Sequence, residues 1–233
     1  METLFAFLLK ASMGIVLFYM VYWLFLRNET FYKANRWFLL LALVISVLLP
    51  AFPVQYAVMY EPVNVAGAVN ALSNAFGNAE ILTRPENIVS GSLNWKHGIT
   101  FIYLTGAGIF LLRLLFQTAV LVQLILKFRI KKIKGMRIVE NKKYGLPFSF
   151  FNIIFINPKC YTQEDLPEIL AHENIHIREN HWFDLLFIEL LTVIFWFNPF
   201  IWFFERSIKQ NHEYLAGKGV ISMGHSVARY KAL

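Results

Sequence analysis

Between Leu4 and Leu26 the chain carries one charge, Lys10. A helix advances about 1.5 Å per residue, so an apolar run of this length reaches across a hydrocarbon layer of roughly 30 Å. The run lacks a basic start and a small-residue cleavage site, which makes it an anchor and not a removable signal. Trp37 to Leu49 repeats the pattern until Pro50 and Pro53 stop it, and aromatic residues from Phe31 onward extend it at the interface. A third run, Ile99 to Leu126, is broken only by Arg113, which should pack between helices or snorkel. We therefore expect membrane spans at 4–26, 33–50 and 98–126. Composition agrees: 57% of the residues are hydrophobic and only 16% are charged, too apolar for water to be the sole solvent.

Residues 51–97 read as a loop, because Pro62, Gly67, Gly77 and Pro85 punctuate a segment rich in Asn and Ser. Basic residues set the orientation. Arg27, Lys33 and Arg36 separate the first two spans, and Lys127, Arg129, Lys131, Lys132 and Lys134 follow the third. The positive-inside bias puts both groups in the cytoplasm, the amino terminus outside and the 51–97 loop on the extracytoplasmic side. The net charge of +7 sits mainly beside apolar runs, where the lipid bilayer is the nearer anionic partner, so no direct nucleic-acid binding is expected. Cys160 is the only cysteine, which removes both a disulfide framework and a thiolate zinc site from consideration.

From 128 to the end the pattern changes. Gly145 and Pro147 interrupt any helix, and residues such as Phe150, Ile153 and Phe155 favour strands, predicted near 136–140 and 151–157. Thr162 as N-cap, Asp165 in the capping-box position, Glu164 and Pro167 then predict a helix over 163–180.

That helix carries His172, Glu173 and His176 in H-E-x-x-H spacing. Residues four apart share one helix face, so both imidazoles can bind one Zn2+, and Glu173 can reach a water on the metal as general base. A catalytic zinc needs a third protein ligand, and Glu179, His181, Glu189, Glu205, His212 and Glu213 are downstream candidates. His181, Asn180 and Tyr214 are also candidates for oxyanion stabilisation. A single crossing by the apolar stretch 183–204 would carry the rest of the chain away from the site, and two crossings need about 40 residues. A shallow or re-entrant hairpin, broken at Asn198-Pro199, remains and can return Glu213 to the metal.

The H-E-x-x-H helix, Trp196-Phe197-Asn198-Pro199 and His212-Glu213-Tyr214-Leu215-Ala216 together resemble the BlaR/MecR-type antirepressor family of integral-membrane zinc metallopeptidases. The likeness is densest over 148–222. It implies a mainly α, polytopic protein of a bacterial inner membrane: three transmembrane helices, then a cytoplasm-facing α+β, gluzincin-like metalloprotease domain over 128–233. It further implies Glu213 as third ligand and cleavage of a cytoplasmic repressor-like protein, or of the chain itself, in transmembrane signalling. Gly217 stands where the family pattern has an aspartate that holds a ligating histidine, so a catalytically weak sensor or scaffold retaining the metal is the alternative. Family members often add a β-lactam sensor, yet no S-x-x-K occurs here. We expect either a separate sensing partner or a fragment of a longer receptor.

Overall fold

The computed structural model describes residues 2–52, 95–133, 135–140 and 145–224. Helix α1 (Glu2–Val21) continues through a π-helical turn at Tyr22–Leu26, and α2 (Tyr32–Leu48) ends in a 3-10 turn at Leu49–Ala51. Pro50 lies in that turn, where its missing N–H costs no interior helix bond. The third long helix, α3, spans Trp95–Lys127. All three are long and apolar enough to cross a membrane, over Thr3–Leu26, Tyr32–Ala51 and His97–Lys127. Only 17%, 28% and 6% of their most apolar windows is buried, so most of this surface needs lipid as its solvent. The predicted spans thus fall on helices. Most of the 51–97 loop lies outside the described residues, as do 225–233 of the C-terminal region.

A four-stranded sheet follows α3, with β1 (Ile130–Ile133), β2 (Met136–Glu140), β3 (Phe148–Phe150) and β4 (Ile153–Ile156) in the order β1-β2-β4-β3. The β2–β4 pair is parallel, with Ile138 opposite Ile154, and the outer pairs are antiparallel. Every β4 residue is buried. Ile154 and Ile156 pack toward Ile169, and Phe155 toward Leu124 of α3. Burial on both faces explains why β4 reads as an unbroken apolar run and not an alternating one. It begins two residues later than expected, because Phe151 takes φ 50° and turns the chain out of β3. The outermost strand β1 is exposed along its whole length.

Three helices complete the fold: α4 (Leu166–Arg178), α5 (His181–Ile194) and α6 (Pro199–Ser222). Helix α4 is shorter than the predicted 163–180. Thr162 does cap, but it caps a preliminary turn: its Oγ1 accepts the Asp165 N–H at 3.2 Å, and regular helix starts at Leu166. Asn180, in left-handed geometry at φ 54°, ψ 38°, separates α4 from α5. Asparagine tolerates that region better than other non-glycine residues. Asn198 starts α6, its side chain accepting the Phe200 N–H at 2.9 Å, with Pro199 in the first helical turn.

The largest apolar core joins α1 and α2 to α5 and α6 through residues such as Ile15, Leu39, Ile188 and Phe204. Helix α3 is attached differently. An added Cβ at Gly106 would come within 2.2 Å of the Trp196 ring, so the glycine admits the indole, whose Nε1–H points to Tyr103 O at 3.3 Å.

Candidate metal centre and active site

His172 and His176 occupy one face of α4, and α6 brings Glu213 against them. Their approach depends on a small residue: a Cβ at Gly219 would lie 2.6 Å from Ile175 Cδ1, so glycine lets α6 sit close to α4. His172 Nε2 is 3.1 Å from His176 Nε2 and 3.3 Å from Glu213 Oε2, and His176 Nε2 is 3.8 Å from Glu213 Oε1. One ligand-type atom from each of the three residues lies within 4.8 Å of the other two. Donors at the usual 2.0–2.2 Å from a tetrahedral Zn2+ stand roughly 3.4 Å apart. The nitrogen–nitrogen–oxygen set therefore fits such an ion in chemistry and in spacing.

The other third-ligand candidates are engaged elsewhere. Glu179 faces Arg36 at 3.4 Å and Lys33 at 3.8 Å. Glu205 binds Lys209, Glu189 approaches Arg113 at 3.9 Å, and His212 Nε2 lies 2.8 Å from Asp184 Oδ2. Of the oxyanion candidates, Tyr214 stacks on Tyr32 and accepts from Gln210, and Asn180 forms the corner between helices. His181 is buried with its Nδ1 2.7 Å from His176 Nδ1.

Glu173 is buried beside the histidines. Desolvation raises its pKa, opposed by a hydrogen bond from Ser149 of β3 and by His172, while Glu213 pushes it further up. The Glu213 carboxyl is held below its usual range, chiefly by its contact with His172. Burial and the neighbouring His172 drive His176 down to about 4, so it is neutral at pH 7, the state in which imidazole ligates metals. Two adjacent carboxyls are thereby shifted apart: the more exposed Glu213 is biased toward its ionised form and the buried Glu173 toward its protonated form.

These groups line a cavity of about 710 Å³. Leu114, Thr118 and Leu121 of α3 contribute one wall, β3 a second, and Trp182 with Leu185 of α5 a third.

Sequence reasoning missed a polar chain behind the histidines. Arg36 of α2 donates from Nε to Asp184 Oδ2 at 2.6 Å and from a terminal nitrogen to Glu179 O at 2.7 Å. Asp184 also faces His212, which stacks on His181 with centroids 3.9 Å apart and planes 7° from parallel. One signal was available: Asp184 is a lone acid near the start of an apolar stretch, and a buried charge needs a partner.

Apolar helices suited to a bilayer, packed on a cavity with a His/His/Glu donor set and a buried glutamate, define the class of membrane-embedded peptidases. Within that class the chain belongs to the BlaR1 peptidase M56 family, whose model matches residues 3–231. Among curated proteins none matches it.

Proposed function

We propose that the protein is a zinc-dependent endopeptidase that hydrolyses a peptide bond in a cytoplasmic, repressor-like regulatory protein, or in itself, during transmembrane signalling. The observation carrying this reading is the convergence of His172, His176 and Glu213 beside the buried Glu173, on the wall of a cavity large enough for several side chains. Those three residues would hold the ion. When bound, zinc supplies Lewis acidity for the scissile carbonyl and lowers the pKa of water toward about 7.

Glu173 takes a proton from the attacking water and delivers it to the departing amine. Its raised pKa brings both halves of that exchange nearer to neutral pH. The substrate lies extended along β3. Strand β4 is enclosed between β2 and β3, so the free edge beside the cavity belongs to β3. Apolar residues on α3 and α5 favour apolar substrate side chains near the cleaved bond.

A cytoplasmic site is supported by the positive-inside bias and by Lys33 and Arg36, in the first turns of α2, meeting Glu179 at the end of α4. In that orientation α5 and α6 form the re-entrant hairpin, turning at Phe195–Asn198. Purified full chain with zinc should cleave its regulator, and Glu173→Gln should slow cleavage by about 10²- to 10⁴-fold while zinc stays bound. Equal rates for the two proteins would refute the mechanism. Buried Gly217 favours a second reading, a metal-retaining sensor with little turnover; stoichiometric zinc without cleavage of any cellular protein would select it.

A further inference from the structure

The family pattern's aspartate is absent at position 217, yet His176 is not left unsupported. Its Nδ1 lies 2.7 Å from Nδ1 of His181, a fully buried residue at the start of α5. If His176 ligates through Nε2, the atom that faces His172 and Glu213, its proton must sit on Nδ1 and point at His181. His181 Nδ1 is then the acceptor. Its own proton falls on Nε2, a buried atom with no hydrogen-bond partner among the described residues. The ring is stacked flat on His212, which is bonded to Asp184, which is clamped by Arg36 from α2.

We propose that His181 is a positioning residue for the metal ligand His176, and that the His212–Asp184–Arg36 chain anchors it to the second membrane span. The inference rests on the zinc reading above. It makes the orientation of one ligand depend on where α2 sits, which gives a membrane helix purchase on the site without touching substrate.

The test is zinc affinity of the full chain in lipid nanodiscs, by competition with a chromophoric chelator, together with the visible spectrum of the cobalt-substituted protein. His181→Phe keeps a ring on His212 but removes the acceptor; His181→Asn returns an acceptor oxygen near the Nδ1 position. Affinity should fall about 10- to 100-fold in His181→Phe with a changed cobalt spectrum, and His181→Asn should recover most of the loss. Asp184→Asn should weaken binding in the same direction by less. Wild-type affinity in His181→Phe, or no recovery in His181→Asn, overturns the positioning role. An unchanged Asp184→Asn overturns the anchor. Failure of the wild type itself to bind zinc instead brings down the metal reading, and this inference with it.

Discussion

The second and third spans flank the same site but are joined to it by different physics. Helix α2 reaches it with polar groups: Arg36 to Asp184 and Glu179, Tyr32 O accepting from Asn211 of α6 at 2.9 Å, and Tyr32 stacked on Tyr214. Helix α3 meets it chiefly by packing, with a glycine notch for Trp196 and a cavity wall of Leu114, Gln117, Thr118 and Leu121, and its Arg113 approaches Glu189 only at 3.9 Å. Directional bonds have one geometry and lose heavily when displaced, whereas apolar contacts can slide at modest cost. One side of the site is therefore fastened and the other can adjust to what occupies the cavity.

The sharpest way to break this contrast is Arg36→Met. It leaves the buried Asp184 without its cation and should destabilise the fold by about 3–5 kcal/mol, read as denaturant-induced unfolding in detergent. A loss under 1 kcal/mol, the range of an exposed ion pair, would mean that α2 is no more firmly held than α3. Gly106→Leu on the opposite side should cost about 1–3 kcal/mol, because the Trp196 ring must move, while leaving zinc affinity unchanged. A parallel drop in affinity would show that α3 also governs the metal ligands. Tyr32→Ala removes the stack on Tyr214 and the ring under the Lys218 ammonium at 5.9 Å, keeps the backbone acceptor for Asn211, and should cost about 0.5–1.5 kcal/mol beyond lost burial, by the same unfolding measurement. The gentlest probe is acid. His176 sits at about 4 in the fold against an ordinary 6.5, so the unfolded chain binds the extra proton between those values. Stability of the metal-free protein should be level above pH 6.5 and decline gradually as pH falls toward 4, and a flat profile would contradict the burial of that ring.

The parts legible in the sequence were those with a local period or a local stop. Uncharged runs gave the spans, Pro50 and Asn198-Pro199 gave breaks, and spacing by four placed His172 and His176 on one face. Strands β1 and β3 were missed because Ile130–Ile133 looks like the basic flank of a span, and three residues carry too little pattern to identify Phe148–Phe150. The Arg36–Asp184 bond joins residues separated by 148 positions, and no periodicity encodes such a partner. In the sequence Arg36 reads only as a membrane-orientation charge. Position 217 shows as a gap in a pattern, while the residue standing against His176 lies five places along the chain from it.

Strand β1 has a consequence of its own. Along it, Lys131 and Lys132 sit at the middle of an outward rim, Lys131 tethered to Glu140 at 2.7 Å. Lysines there repel a stray strand that would otherwise zip onto the open backbone. Of the sheet's two rims, one is thus guarded by charge, which leaves β3, the edge that the proposed function gives to substrate, as the rim open to a β partner.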